Sequence, residues 1–149
     1  MSSYSIMAEA FDKMIIHFQS QAMDKFSLYS KGETCALHFL LEKGDYVLPS
    51  DLGEALQCSA ARITKIITQL EQKGQVVREM NPDDRRKIKV NLTESGLDRA
   101  KKERDEIYKN LELIFTEMGE NDAREFMRTL KIFFDIANNV EAESHNVQK

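Results

Sequence analysis

Apolar residues recur at helical spacing along most of this chain. Near its middle, four aliphatic residues stand at i, i+3, i+4 and i+7 and form what we call the aliphatic stripe: Ile63, Ile66, Ile67 and Leu70. This spacing predicts a helix with one buried face and one free face. Ser59 has the character of its N-cap, and Gly74 that of a left-handed C-cap. The same periodicity predicts five further helices, over about residues 5–25, 31–43, 49–56, 93–118 and 123–140.

Only one segment shows the clear alternation of apolar and polar residues that is typical of a strand. Apolar residues 88, 90 and 92 alternate with polar residues 87, 89 and 91, and residues 76–78 predict a partner strand. The intervening residues 81–86 are rich in Asn, Pro and Asp, which favour a turn. We also expect a short strand at residues 46–48. Helix, turn, helix, strand, turn and strand in this order predict a winged helix-turn-helix, a mainly α fold with six helices and a small antiparallel β wing.

Two local signals mark further helix starts. Ser30 and Glu33 have the spacing of a capping box, which predicts the start of the second helix. Pro49 suits the first turn of the third helix, because its missing N–H would have no partner there. Leu52, Ala55 and Leu56 are then expected to form the inner face of that short helix.

The first, fifth and sixth helices carry apolar stripes that a small lobe cannot cover alone. In the first helix the stripe includes Met7, Phe11, Met14, Ile15 and Phe18; the fifth keeps near-heptad spacing. A monomer would expose a large apolar patch to water. We therefore expect these N- and C-terminal helices of two chains to interlock as a homodimer.

Length and composition narrow the class of protein. A chain of 149 residues predicts a single domain with a sizeable core. No apolar run approaches the ~20 residues of a membrane span, and no export signal is evident, so a cytoplasmic location is expected. Cys35 and Cys58 are too few for a disulfide framework and lack metal-ligand spacing. No metal and no other cofactor is expected.

Charge is segregated along the chain, although the whole carries a net charge of -4. Residues 59–104 hold 12 basic and 7 acidic side chains, whereas residues 1–58 hold 4 and 8 and residues 105–149 hold 5 and 10. A basic middle between acidic flanks is typical of a protein with one DNA-facing surface. A solvated basic helix without a partner is the alternative interpretation.

The free face of the central helix and the turn of the wing hold the candidate DNA contacts. Their side chains donate hydrogen bonds to phosphates or to base edges. Adjacent arginines at an exposed turn have no evident role in folding, and they suit the electronegative minor groove. We expect Ser59 and Thr68 to contact phosphate. The predicted DNA-binding residues are Ser59, Arg62, Thr64, Lys65, Thr68, Gln69, Arg85, Arg86 and Lys87.

At these residues the chain resembles the MarR family of bacterial transcription regulators. In that family an Asp-x-Arg wing motif precedes a Leu-Thr-x-x-Gly entry to a long helix, and residues 59–74 resemble its recognition helix with a Leu-Glu-x-x-Gly ending. The matching residues of the wing and helix entry are Asp84, Arg86, Leu92, Thr93 and Gly96; those of the ending are Leu70, Glu71 and Gly74. Ala60 and Ala61 depart from the family, which often has polar side chains there; they could meet thymine methyl groups.

The resemblance implies an organisation and a mode of action. Residues 1–149 would form one MarR-type domain, with a winged-helix lobe over about 31–98 and dimerisation helices over about 1–30 and 99–149. Asp84 would hold the wing arginine in position. Two recognition helices would read a pseudo-palindromic double-stranded operator. The family's commoner mode implies a repressor released by a signal.

The nature of that signal is left open by the residues. A small apolar or aromatic effector could bind a cleft lined by Phe11, Ile15, Phe18, Phe39 and Tyr108, although such residues more often form core. His17 and His38 lack the neighbouring ligands of a zinc site. Cys58 stands beside the start of the recognition helix, where the helix dipole favours a thiolate, so a redox signal is an alternative.

Two rival functions belong to other classes. A winged-helix adaptor that acts through protein contacts would suit the acidic flanks but leaves the paired arginines unexplained. An enzyme is not expected, because the sequence has no glycine-rich phosphate loop, no nucleophile elbow and no two-histidine metal motif.

Overall fold

The computed structural model describes residues 2–21, 32–81, 83–84 and 87–146. Within them, six helices and one antiparallel hairpin follow the predicted order, so the predicted winged helix-turn-helix is confirmed. The elements are α1 (Ser3–Gln21), α2 (Gly32–Lys43), α3 (Pro49–Ala55), α4 (Ala60–Gln72), β1 (Val76–Met80), β2 (Ile88–Leu92), α5 (Glu94–Met118) and α6 (Glu120–Asn146). The chain divides into two compact units, Met1–Asp105 and Glu106–Lys149.

The core of the first unit lies between α2, α3, α4, the hairpin and the start of α5. The aliphatic stripe of α4 is buried there, as predicted, because removing branched side chains from water stabilises the fold. The other buried apolar residues of this cluster are Ala36, Leu37, Leu40, Val47, Leu52, Val76, Val90 and Ala100.

The hairpin pairs β1 with β2 in register from Val76 opposite Leu92 to Met80 opposite Ile88. Val47 adds a single bridge to Val90, with N–O distances of 3.0 and 2.8 Å, and this confirms strand pairing at the predicted third segment. The predicted alternation holds at fully buried Val90. It fails at Ile88, which is 46% exposed, because this end of the hairpin extends beyond the core.

A tight turn joins α3 to α4. Gln57 adopts a positive φ of 49°, and the Cys58 backbone N–H donates to the Gly53 carbonyl at 3.0 Å. Pro49 begins α3, as predicted, and Leu52 is fully buried. Ala55 was predicted to face inwards, but it is exposed. The helix ends at this residue, where the chain already turns towards α4.

Two glycines allow α4 to be followed closely by β1 and α5. Gly74 has φ +69° and ends α4 in the left-handed conformation that its sequence position predicts. Gly96 lies against the Gln75 backbone, where an added Cβ would stand 1.8 Å from the carbonyl oxygen. Thr93 caps α5, since its Oγ1 accepts from the Gly96 N–H at 3.1 Å and donates to the Gly74 carbonyl at 2.6 Å.

The second unit consists of α6 and the C-terminal part of α5, joined at Gly119, which has φ +81°. A groove of about 1030 Å³ runs along these two helices and is lined by residues such as Tyr108, Phe115 and Met127. Many large apolar side chains of this unit are exposed, among them Phe126, Ile132, Phe133, Phe134, Ile136 and Val140. Among the described helices we find none that combines the length and the apolar character needed to cross a bilayer.

Candidate nucleic-acid interface

The exposed face of α4 carries the predicted base-reading residues. Arg62, Thr64, Lys65 and Gln69 are all exposed, opposite the buried aliphatic stripe. Burial of the stripe fixes the rotation of the helix about its axis. The structure therefore places these four side chains on one surface, as the helical periodicity predicted.

Ser59 caps this helix. Its Oγ accepts a hydrogen bond from the Arg62 N–H at 3.3 Å, which confirms the predicted N-cap. The first backbone N–H groups of a helix carry partial positive charge, so this end suits an anion such as a phosphate. The cap uses a lone pair of Ser59 and leaves its proton available to a partner.

The two threonines of the helix differ in their hydrogen bonds. Thr64 Oγ1 donates to the Ala60 carbonyl, four residues earlier, at 2.9 Å. Thr68 is half-buried, and its Oγ1 instead accepts from Arg78 Nη2 at 2.7 Å. The same residue type therefore serves as a donor at one position and as an acceptor at the other.

Arg78 of β1 is a residue of this surface that the sequence analysis did not single out. Its Nη1 lies 2.6 Å from Glu71 Oε2, and its Nη2 donates to Thr68 Oγ1 and, at 3.4 Å, to the Thr64 carbonyl. Arg78 thus joins the first strand of the wing to three positions of α4. An arginine soon after a helix whose last turn contains a glutamate was the available signal.

Part of the wing turn is described. Asn81 is buried and closes the turn: its Oδ1 accepts from the Asp83 N–H at 3.0 Å, and its N–H donates to the Lys87 carbonyl at 2.8 Å. Asp84 is half-buried, and Lys87 is exposed. The predicted contacts Arg85 and Arg86 lie outside the described residues. The orienting role of Asp84 and the DNA contacts of the wing stay predictions.

A charged cluster supports the C-terminal end of α4. Glu33 accepts from Lys73 Nζ at 2.7 and 2.8 Å and from Arg99 Nη1 at 3.2 Å. Burial alone would raise the pKa of the Glu33 carboxyl, but hydrogen bonds and charge from Lys73 and Arg99 outweigh it, so the pKa lies below its usual range. The capping box predicted for Glu33 requires Ser30, which lies outside the described residues.

The family model that matches this chain is that of the MarR family, over residues 34–88. Over 103 residues the chain is 29% identical to the uncharacterized HTH-type transcriptional regulator YdgJ of Bacillus subtilis (strain 168), covering 69% of this chain and 63% of that protein. Over 96 residues it is 30% identical to the uncharacterized HTH-type transcriptional regulator YkoM of the same organism, covering 64% of this chain and 60% of that protein. Within residues 34–88 the chain is thus similar to the MarR family. Its matched regions span less than two thirds of the length of these relatives.

Solved structures agree with a MarR-type fold. FabT of Streptococcus pneumoniae in complex with DNA superposes with a TM-score of 0.73 and 18% identity, covering 93% of this chain and 99% of that chain. The MepR–DNA complex of S. aureus gives 0.67 and 17%, covering 92% and 99%. At these identities the likeness concerns the fold.

The residues predicted to line an effector site lie in different parts of the structure. Phe11 and Ile15 are exposed on α1. Phe39 lines a hollow of about 430 Å³ in the first unit, with Lys43 Nζ 5.4 Å from its ring centroid. Tyr108 lines the groove of the second unit, and the side chain of Phe18 lies outside the described part. An effector site stays a prediction.

Both cysteines of the chain are half-buried. Burial raises the pKa of the Cys35 thiol, and the nearby Cys58 raises it further, so Cys35 is disfavoured as a thiolate. Cys58 Sγ donates to the Leu56 carbonyl at 3.3 Å and packs against the core. Among the residues that the structure describes, no three His, Cys, Asp or Glu side chains are grouped to hold a metal ion.

Proposed function

We propose that this MarR protein is a homodimeric transcription regulator that binds double-stranded DNA in a sequence-specific manner. The observation that carries the proposal is the exposed face of α4, where Arg62, Lys65 and Gln69 stand opposite a buried stripe and beside the wing strand. Guanidinium and ammonium groups bind phosphates and guanine edges, and an amide can pair with adenine. This surface fits the major groove, and the basic wing fits the flanking minor groove.

The comparisons support this reading. FabT and MepR have been solved with DNA, and the curated relatives are named transcriptional regulators. The proposed DNA contacts are those predicted from the sequence, with a winged-helix lobe over about residues 31–98. A regulator of this kind acts where the chromosome lies, so the expected cytoplasmic location belongs to the proposal.

The dimer rests on apolar faces that the chain leaves exposed. On α1, Met7, Phe11 and Met14 are between 48% and 61% exposed, and α6 exposes a comparable row. Large apolar patches exposed on a soluble protein commonly mark interaction sites. We assign it to a second copy of the chain, paired through α1, α5 and α6, so that two α4 helices read a pseudo-palindromic operator.

Repression that a small-molecule or redox signal relieves completes the proposal. This part of the proposal rests on the commoner mode of action in the MarR family. A reporter gene placed downstream of a bound site separates repression from activation: expression should rise when the regulator is deleted.

The test of DNA binding is selection from a random duplex pool with the full chain, followed by titration of the selected duplex at several salt concentrations. Affinity should fall steeply with salt, since bound lysines and arginines release counterions. Arg62→Ala and Lys65→Ala should each weaken binding by about 1 to 3 kcal/mol. Lys109→Ala removes an exposed cation from the second unit and serves as the matched control.

A different outcome would favour the rival function. If no duplex is enriched and binding is weak and insensitive to salt, α4 does not read DNA. The chain would then be a winged-helix adaptor whose acidic flanks meet protein partners. No enzymatic activity is part of either proposal.

A further inference from the structure

The hydrogen bonds of Thr64 and Thr68 are opposite in direction, and the difference concerns what each hydroxyl offers to DNA. A threonine hydroxyl has one proton to donate and two lone pairs that accept. In a helix its proton commonly goes to the carbonyl four residues earlier. Thr64, Thr116 and Thr129 all follow this rule, at 2.9, 2.7 and 2.8 Å.

Thr68 departs from the rule because Arg78 occupies the place of that bond. Arg78 Nη2 lies 2.7 Å from Thr68 Oγ1 and 3.4 Å from the Thr64 carbonyl oxygen. Without Arg78, that carbonyl would receive the Thr68 proton. Glu71 holds the other end of the same guanidinium at 2.6 Å. The described residues provide no acceptor for the Thr68 proton, which is therefore free to point outwards.

Charge strengthens this arrangement. A hydroxyl that accepts from a guanidinium is polarised, so its own O–H becomes a better donor. DNA phosphates only accept hydrogen bonds, whereas the exocyclic amino groups of adenine and cytosine donate in the major groove. A hydroxyl with a free proton suits a phosphate, and one with only lone pairs suits an amino group.

We propose that Arg78 is a positioning residue that makes Thr68 a donor to a DNA phosphate, while Thr64 accepts from the exocyclic amino group of an adenine or a cytosine. The inference rests on the proposed function of α4 as the DNA-reading helix. It adds the chemical class of group that each threonine recognises. It also explains why β1 bears an arginine directed at α4.

The test begins with a duplex selected from a random pool by the unmodified protein. Thr64→Val removes the hydroxyl while keeping the shape of the side chain. It should lose preference at one base pair, with an affinity loss of about 3- to 10-fold, the size expected for one neutral hydrogen bond. Replacing the adenine or cytosine there by an analogue without its amino group should weaken the unmodified protein equally and leave Thr64→Val unaffected.

Thr68→Val should behave differently. It should weaken all duplexes by a similar factor and leave the selected sequence unchanged, and Thr68→Ser should restore binding. A methylphosphonate at the contacted phosphate should weaken the unmodified protein but not Thr68→Val.

Arg78 is tested through its coupling to Thr68. In an Arg78→Met background the Thr68 proton can return to the Thr64 carbonyl, so adding Thr68→Val should cost little more. Additive losses would overturn the role of Arg78, because a merely structural arginine would not change the effect of Thr68. Should Arg78→Met fail to fold, Arg78→Lys replaces it, since an ammonium cannot bridge Glu71, Thr68 and the Thr64 carbonyl in the same way.

The outcomes separate this inference from the proposed function. If the unmodified protein selects no duplex, both fail. Suppose instead that it selects a duplex, that Thr64→Val keeps the base preference, and that base analogues without the amino group weaken the unmodified protein and Thr64→Val equally. DNA binding by α4 then stands, and the assignment of the threonines is wrong.

Discussion

Arg99 of α5 donates to the Glu33 carboxylate of α2 at 3.2 Å, across 66 positions of sequence. The same guanidinium reaches Gln75 Oε1 at 2.5 Å and Glu103 Oε1 at 2.7 Å, and Lys73 completes the ring around Glu33. These contacts tie the C-terminal end of α4 to the start of the long helix α5. Because the Glu33 and Arg99 side chains are mostly withdrawn from solvent, their ion pair is less screened than surface ion pairs.

Glu33→Gln should destabilise the first unit in a pH-dependent way. The pKa of Glu33 is lower when folded, so its contribution is fully present above the unfolded value near 4.5 and is lost as pH falls through the folded pKa. Near neutral pH the loss should be about 1 to 3 kcal/mol, since the amide gives up charge-assisted bonds. Denaturant unfolding from pH 7 down to pH 3 measures it, and the difference from the unmodified protein should shrink below about pH 4.5. Glu42→Gln, exposed on the same helix, is the control and should show no such trend.

Gly96→Ala should be strongly destabilising. A Cβ at this position would stand 1.8 Å from the Gln75 carbonyl oxygen, and backbone cannot move aside as a flexible side chain can. We expect a loss of about 3 kcal/mol, at the upper end of overpacking. The matched variant is Gly53→Ala in α3, where the added Cβ meets neighbours at 3.4 and 3.5 Å. That variant should be neutral or more stable by up to about 1 kcal/mol. Equal melting temperatures for the two would contradict the close approach at Gly96.

Phe134→Lys should weaken self-association. Phe134 is exposed in the single chain, and the proposed dimer buries such residues, so a lysine there would bring an unpaired charge into an apolar interface. Losing the burial of one aromatic side chain corresponds to about 1.5 to 3 kcal/mol, or roughly 10- to 100-fold in the dissociation constant. Sedimentation velocity over a concentration series measures it. Thr129→Lys places the same charge on an exposed residue of the same helix and should leave association unchanged. If the unmodified protein sediments as a folded monomer at micromolar concentration, the proposed dimer is wrong.

Arg86→Ala should weaken operator binding by about 1 to 3 kcal/mol and leave the fold intact. The expectation comes from the sequence, where two arginines follow an aspartate in the wing turn. It should also lower the dependence of affinity on salt, because one phosphate or minor-groove contact is lost. Arg124→Ala, which removes an arginine from a surface ion pair on α6, is the comparison. Unchanged affinity in a folded Arg86→Ala protein would exclude the wing from DNA binding.

The sequence by itself determined the elements and the free face of α4, because these depend on local rules. Periodicity marks which side of a helix leaves water, as at Ile63 and Leu70, and left-handed backbone favours glycine, as at Gly74. The wing motif indicated the resemblance to the MarR family by the same local means.

Only the tertiary structure decided how polar side chains meet between elements. Glu33 was predicted to cap its own helix, yet its carboxylate lies against Lys73 and Arg99. Arg78 was one residue of a predicted strand until packing placed it 2.7 Å from Thr68. Long charged side chains reach in many directions, and their partners depend on how the core orients each helix and strand. The spacing of residues in the sequence does not specify that orientation.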